Sequence, residues 1–557
     1  MADWDKSVDL LVVGSGAGGM TAALAAKAEG ADVLLIEKSA VYGGTTARSG
    51  GGVWVPNNPT LVRAGRSDPP EAVRTYLQAV VGDRVPGARL DAYVHAGPEA
   101  MGFLDQSPRM RFAYIDGYAD YHPERPGGRP QGRTIEPLPI NLKLLGEDAA
   151  LLRDSGMGLP LGLFVTAVDA RYLGQATRTL RGFMTGMKIV ARLVVNGLLR
   201  RRIVALGQAL VARFRLALKD ADVPLWLGTP LQSLVSDEAG QVQGAVVLRD
   251  GKPYRIAARH GVILASGGFD HNLAMRKEHL PAGVGSWSAG SSDNHGDGIV
   301  AGQAVGGQLD LLDDAWWMPS VKLPNGTMWP LVSERCIPRS IIINGHGKRF
   351  ANESAPYVNF VHALLRGDQS EGKHIPAYFV MDAVAQRRYQ FAGNPPGVGF
   401  PKAWYRSGVV KKAQTLAQLA AAIDVPAPTL LATVERFNGH VARGTDADFG
   451  RGQSAYDRYY GDPTLPNPVI DRIDTGPFYA IEVLPGDLGT KGGLVCDEHA
   501  RVLNAQGHPI AQLYATGNTT ASVMGNDYAG AGATIGPAIV FGWVAARHAL
   551  QRSGIGH

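Results

Sequence analysis

The run Val8-Asp9-Leu10-Leu11-Val12-Val13 breaks into Gly14-Ser15-Gly16-Ala17-Gly18-Gly19 and then into an Ala- and Leu-rich stretch from Met20 to Gly30. A short apolar strand, a tight turn and a helix follow one another, with Gly14, Gly16 and Gly19 in GxGxxG spacing. The first glycine permits the turn, the second lets a pyrophosphate approach the backbone, and the third lets helix and strand pack closely. The helix N-terminus presents unpaired N–H groups and a partial positive charge to phosphate. A second strand, Ala31 to Ile36, ends at Glu37, where an acid is expected to meet the ribose hydroxyls of an adenosine. Three glycines alone could mark a structural turn. Strand, glycines, helix, strand and terminal acid in this order read as a dinucleotide-binding unit.

The next residues bear on which dinucleotide it is. Lys38 to Gly52 holds Gly44, Thr45, Thr46, Ser49, Gly50, Gly51 and Gly52, and is too poor in large side chains to be core. A nicotinamide enzyme would normally continue with another strand–helix unit, whereas this loop suits a backbone wrapped around a second cofactor segment, as non-covalent FAD requires. A mobile surface loop is the alternative. Glu37-Lys38 followed by Gly43-Gly44-Thr45-Thr46 resembles the flavoprotein family of fumarate reductases and 3-ketosteroid dehydrogenases.

With 557 residues the chain can bury large cores and should hold two or more domains. Cys336 and Cys496 stand far apart, which argues against a disulfide framework, a zinc site or haem attachment and fits a reducing cytoplasm. No metal site is expected. The N-terminus lacks the basic start and apolar length of a signal peptide, and no apolar run reaches about 18 residues, so a spanning helix is not expected.

Along the chain, Pro70 to Ala100 reads as helix with a break near Pro86, its first part burying Val73, Tyr76, Leu77, Val80 and Val81. The aromatic and turn-rich stretch from Phe112 to Gly128 reads as an ordered loop lining something. Between Asp169 and Asp220 there is no acid but eleven basic residues. Around Gly182 to Arg202, Lys188, Arg192 and Arg200 form a basic stripe, and Phe183, Met187, Val190, Val194 and Leu198 an apolar one. Such a helix can lie in the headgroup layer of an anionic membrane, or it can be an ordinary solvated helix covering the core. Nucleic acid is not expected, because no reading motif accompanies the charge. Strands are expected at Leu231 to Ser236, Val242 to Leu248 and Gly261 to Ala265, the last leading to Gly267. Leu513 to Gly517-Asn518 is another strand-to-glycine turn, and the segment Gly525 to Pro537, with Ala533 and Ile535, opens a C-terminal helix, Ala538 to Leu550, able to aim N–H groups at a flavin. The expected architecture is α/β: a discontinuous Rossmann-like FAD-binding domain with an inserted α+β catalytic domain. Its parts are residues 1–275, including a basic segment at about 150–204, an insertion at 276–450, and a return to the FAD domain at 451–557.

Across almost the whole chain the resemblance is most specific to 3-ketosteroid Δ1-dehydrogenases. It is carried by Asp120-Tyr121, by Asn352-Glu-Ser-Ala-Pro-Tyr357-Val-Asn-Phe360, by Asp487-Leu-Gly-Thr-Lys-Gly-Gly-Leu494 and by Tyr528-Ala-Gly-Ala-Gly532. The resemblance implies that Tyr357 takes a proton from steroid carbon 2, that Tyr121 assists it, that Tyr528 and the Gly532 N–H hold the 3-keto oxygen, and that FAD takes a hydride from carbon 1. Tyrosine ionises near 10, so the base role needs a depressed pKa or concerted hydride loss. The family's proline after the equivalent of Tyr528 is here Ala529. Ala315-Trp316-Trp317-Met318-Pro319 favours a flat apolar substrate over a dicarboxylate. Implied partners are a 3-ketosteroid, with or without a sterol side chain, and a quinone-like acceptor. The implied location is cytoplasmic, with a peripheral seat on the membrane. Rival readings are a Δ4-dehydrogenase or enone reductase and, from another class, a non-catalytic flavin-binding membrane redox module.

Overall fold

A computed structural model describes residues 4–156 and 164–551. Residues 1–3 of the N-terminal stretch and 157–163 of the basic segment lie outside the described residues.

The strand Lys6–Val13 is central to an eight-stranded sheet because both its faces are apolar, as a parallel strand covered on each side requires. Leu10–Val13 pair in parallel with Val33–Ile36 on one side and with Gly261–Leu264 on the other. Val262–Leu264 then pair in parallel with Leu513–Ala515. Val13, Leu264 and Ala515 therefore end at one edge, and the turns after them (Gly14, Ala265 to Gly267, and Gly517-Asn518) gather there. Helix Ala17–Ala28 crosses over the sheet and packs on the C-terminal helix Ile535–Gln551. A Cβ on Gly542 would lie 2.4 Å from the Gly18 carbonyl oxygen, so the two helices meet backbone to backbone.

A second, six-stranded sheet runs Met328–Pro330, Ala315–Lys322, Phe478–Thr490, Ala377–Met381 and Ser340–Ile343, with Val410–Ala413 also paired to Phe478–Thr490. Phe478–Thr490 serves both halves: Leu484 to Thr490 pair with Ala315 to Ser320, and Tyr479 to Val483 with Ala377 to Met381. This sheet includes Phe478–Thr490, and the next strand of the chain in the first sheet is Arg501–Leu503.

Helices Pro70–Val81 and Gly87–Gln106 flank the break near Pro86, and Val73, Tyr76, Leu77, Val80 and Val81 are buried. The basic segment forms helix Leu180–Leu198, capped by the Thr179 side chain on Gly182 N. Its apolar stripe does not cover the core. Phe183, Met187, Val190 and Val194 are each more than half exposed and Leu198 is 79% exposed, while only Gly182 and Ile189 are buried. Among the described residues no helix is long and apolar enough to cross a membrane. Cys336 and Cys496 are buried free thiols.

Candidate active site

Tyr121 lies in the loop between strands Phe112–Tyr114 and Thr134–Pro137. The buried Asp120 carboxylate holds this loop, accepting from Trp54 Nε1 at 2.9 Å and from Arg129 N at 3.1 Å and pairing with the buried Arg133 guanidinium. Tyr121 N then donates to Ala529 O at 3.0 Å, fastening the loop to the segment just after Tyr528. Tyr357 is the first residue of helix Tyr357–Glu371, where Pro356 sets the chain's entry. Arg335, fully buried, donates to the carbonyls of Glu353 and Ala355 and fixes the approach to that helix. Tyr528 lies in the loop before the C-terminal helix.

These three phenols meet. The Tyr121 hydroxyl donates to the Tyr357 hydroxyl at 2.7 Å. Ring centroids are 5.3 Å apart for Tyr121 and Tyr357, 5.0 Å for Tyr121 and Tyr528, and 5.7 Å for Tyr357 and Tyr528, all edge to face as aromatic quadrupoles prefer. Trp316 lies against Tyr528 at 4.8 Å. The Tyr528 hydroxyl accepts from Thr534 Oγ1 at 2.9 Å and also meets the Gly532 N–H and the Tyr357 hydroxyl. A φ of +93° at Gly532, with Gly52 backbone 2.3 Å from where a Cβ would stand, allows only glycine there.

Burial raises the pKa of all three phenols, and neighbouring phenols push Tyr121 and Tyr357 further up. The depressed tyrosine pKa that one reading of the sequence called for is therefore absent. A file of rings continues outward: Tyr118 lies 6.5 Å from Tyr121 and stacks on Tyr459 at 4.5 Å, and the Arg171 guanidinium sits 4.2 Å over Tyr459.

The residues expected to hold a cofactor gather at the shared strand edge. Gly14 has φ +108°, and a Cβ there would strike the Ala265 carbonyl oxygen at 2.3 Å. Helix Ala17–Ala28 carries no side-chain cap, which leaves N–H groups of its first turn, with Gly18 and Gly19, to a ligand. Thr46 Oγ1 accepts from Ala17 N, while Ser49 Oγ donates back to Thr46 O. Thr45 Oγ1 accepts from Ser291 N and Asn294 Nδ2, and a Cβ on Gly267 would strike Asn294. Glu37 sits at the end of its strand, its carboxylate accepting from Ser15 N and Ser15 Oγ at 3.0 and 2.6 Å. Lys38 pairs with Asp297 at 2.6 Å, binding the loop to the start of the distant helix Asp297–Ala304. Side chains added at Gly44 and Gly50 would enter open space, whereas one at Gly51 would strike Leu206 backbone, and Gly52 faces Ala531. Gly517, Asn518, Ala533 and Thr534 line a cleft with Trp316, and Trp316 Nε1 donates to Asn518 Oδ1 at 3.0 Å. Ile535 is buried behind it. Uncapped N–H groups at one end and this flat, glycine-bordered cleft at the other fit the pyrophosphate and ring system of FAD.

Reasoning from sequence missed the polar layer beneath the phenols. Asp314 Oδ1 accepts from Trp317 Nε1 and lies 2.9 Å from His362 Nε2, while its Oδ2 accepts from Lys491 Nζ at 3.3 Å and Asn526 Nδ2 at 3.1 Å. Lys491 is fully buried, which lowers its pKa, with Asp314 opposing that shift. Thr534, Asp527 and Lys491 all lie inside or beside the quoted motifs; for Asp527 and Lys491 the signal was an ionisable residue among small ones. Among the described residues one group has metal-ligand proximity, His440, Asp446 and Asp448. Arg349 pairs with Asp446, Arg436 with Asp448, and Arg443 meets His440, so arginines already neutralise it.

The FAD binding domain family matches residues 9–535. A 3-oxosteroid 1-dehydrogenase of Mycobacterium tuberculosis is 46% identical over 561 residues, covering 99% of each chain. The chain belongs to the 3-oxosteroid 1-dehydrogenase family. The family resemblance extends to structure: a crystal structure of 3-ketosteroid delta1-dehydrogenase from Sterolibacterium denitrificans in complex with 1,4-androstadiene-3,17-dione superposes with a TM-score of 0.93. That chain is 38% identical, with 98% of this chain and 100% of that one covered. A 4-oxocyclohexanecarboxylate 2-dehydrogenase of Sinomonas cyclohexanicum is 37% identical over 97% of this chain and 92% of its own. This member of the family is a flavoprotein oxidoreductase whose cofactor is FAD.

Proposed function

We propose that this chain is an FAD-dependent 3-oxosteroid 1-dehydrogenase that converts a 3-keto-4-ene steroid ring to the 1,4-diene with the machinery described above. The observation that carries the reading is the 2.7 Å contact of Tyr121 and Tyr357 hydroxyls beside the Tyr528 hydroxyl and Gly532 N–H.

A proton next to a ketone leaves only if the growing enolate oxygen is stabilised. The Tyr528 hydroxyl and the Gly532 N–H, which meet each other here, would both turn to the ketone oxygen and serve as an oxyanion hole, an arrangement worth about 3–4 kcal/mol per donor. Tyr357 receives the carbon 2 proton on its hydroxyl oxygen as the two hydroxyls turn, its own proton passes to Tyr121, and the Tyr121 proton leaves through Tyr118, which meets both Tyr121 and Tyr460, toward solvent, so that each phenol ends neutral. Because burial keeps both phenols protonated, no standing phenolate waits for substrate. The carbon 2 proton therefore leaves together with the carbon 1 hydride, and the electron pair of the carbon 2–hydrogen bond becomes the new carbon 1–carbon 2 double bond. The chemistry FAD supplies when bound is acceptance of that hydride. Trp316 and the aromatic walls exclude water and favour a flat apolar ring. Anaerobic addition of a 3-keto-4-ene steroid should bleach the oxidised flavin and yield the 1,4-diene. A spectrum unchanged by such steroids but altered by a dicarboxylate overturns the reading.

The finer seat of the enzyme follows from helix Leu180–Leu198, whose exposed apolar stripe is flanked by exposed Arg181, Lys188, Arg200, Arg201 and Arg202. Apolar area beside clustered cations suits the surface of an anionic bilayer. A bilayer also dissolves sterols with intact side chains and quinones, the substrate and electron acceptor we assign.

A further inference from the structure

The three phenols come from segments far apart in the chain, yet a proton relay tolerates little misplacement; an error of about 1 Å can cost about 100-fold in rate. One carboxylate reaches all three segments. Asp527 Oδ1 lies 2.8 Å from His122 Nε2 and accepts from Asn359 Nδ2 at 3.2 Å and from Tyr528 N at 2.9 Å. His122 follows Tyr121, Asn359 lies two residues beyond Tyr357 in the first turn of its helix, and Tyr528 is the next residue. Arg125 adds a cation 3.3 Å from the other oxygen.

The main chain beneath is held as firmly. Lys491 Nζ donates to the Asp527 carbonyl at 3.0 Å and pairs with Asp314, which also reaches His362 on the Tyr357 helix and Asn526 beside Asp527. We propose that Asp527 is a positioning residue whose single carboxylate oxygen sets Tyr121, Tyr357 and Tyr528 in register, with Lys491 anchoring the backbone that carries it. The assignment rests on the tyrosine mechanism above. Asp527 is not itself the base: the partners of its carboxylate are N–H groups, not the phenols. Although burial opposes ionisation, His122, the Tyr528 N–H and Arg125 hold its carboxyl down at about 2, so it stays a charged acceptor, the stronger kind.

The test uses the holoenzyme with Asp527→Asn, Asn359→Ala and, alongside, Tyr357→Phe. Asp527→Asn should lower kcat by about 100-fold. Flavin content should be unchanged, and the Kd of the 1,4-diene product, read from the flavin spectrum, should stay within about threefold of the parent's. With steroid deuterated at carbon 2, the isotope effect on flavin reduction should rise, because proton transfer is the misaligned step. Asn359→Ala, which removes one of the three donors, should shift kcat and isotope effect in the same direction by about tenfold or less, and decides the matter if Asp527→Asn does not fold. Unchanged kcat in these variants overturns the proposal, as does a kcat loss that merely tracks lost flavin or lost product affinity. If Tyr357→Phe keeps full activity, the tyrosine mechanism falls. If it is inactive while Asp527→Asn and Asn359→Ala are normal, only the positioning role falls.

Discussion

Tyr121 and Tyr357, 236 residues apart in the chain, share a 2.7 Å hydrogen bond in a site where both are buried. If Tyr357 takes the proton and Tyr121 accepts what Tyr357 gives up, the two substitutions should differ in size. Tyr357→Phe should slow steroid-driven flavin reduction by about 10²- to 10⁴-fold, the range for a general base. Tyr121→Phe should slow it less, because Tyr357 remains to receive the proton. Stopped-flow anaerobic flavin reduction, with flavin content checked by absorbance, measures both.

Tyr528→Phe removes the proposed enolate donor and leaves the proposed base. Flavin reduction should fall by about 10²- to 10³-fold. With steroid deuterated at carbon 2, the same variant should show an enlarged isotope effect on flavin reduction, because the charge growing on the ketone oxygen is less stabilised as the proton leaves, whereas a purely structural role would leave any surviving enzyme with the parent's isotope effect.

The phenols' pKa values predict a pH signature. Burial and neighbouring phenols raise Tyr121 and Tyr357 above the usual value, so these two should not ionise below pH 10. Ultraviolet difference titration of Tyr121→Phe and Tyr357→Phe against the parent should show no tyrosinate belonging to this pair in that range. A folded-state pKa raised above the unfolded one gives stability that is complete below about pH 10 and is lost as pH rises further. Urea midpoints should accordingly decline from about pH 10 upward.

Gly14→Ala places a methyl 2.3 Å from the Ala265 carbonyl at a φ of +108°. Both the contact and the left-handed backbone are unfavourable, so the turn expected to receive the pyrophosphate must move. The purified variant should carry little FAD, as the ratio of flavin to protein absorbance will report.

Replacing Phe183, Met187 and Val194 by serine removes exposed apolar surface without disturbing the core. Flotation with anionic vesicles should retain the parent and lose the triple variant, with activity on a dispersed short-chain ketosteroid unchanged. Parent binding should weaken as salt rises, since the flanking cations are screened.

Much of this architecture was legible because its signals are local. The Gly14–Gly19 turn and the strands beside it follow from backbone geometry that few residues can adopt. Tyr357 and Tyr528 stood out through the segments around them, and the structure brings both to Tyr121. Periodicity found the helix near Gly182 to Arg202 but could not say what its apolar stripe faces, since a face is defined without its neighbour. The strand Phe478–Thr490 was obscured by Pro485, Gly486 and Gly489, residues that weaken strand propensity and are tolerated here by pairing with Ala315–Lys322. The Asp314–Lys491–Asp527 layer was illegible for another reason: its members meet only after distant segments have folded together.

The ring file from Tyr121 through Tyr118 and Tyr459 ends under Arg171, in the short helix Ala167–Leu173 that packs beside the exposed apolar helix. Rigid planar groups in contact do not absorb displacement as flexible chains do; they hand it on. On the membrane seat proposed above, docking or release of that outer helix would be felt at the proton-accepting oxygen, and turnover would then respond to the fluidity and crowding of the bilayer.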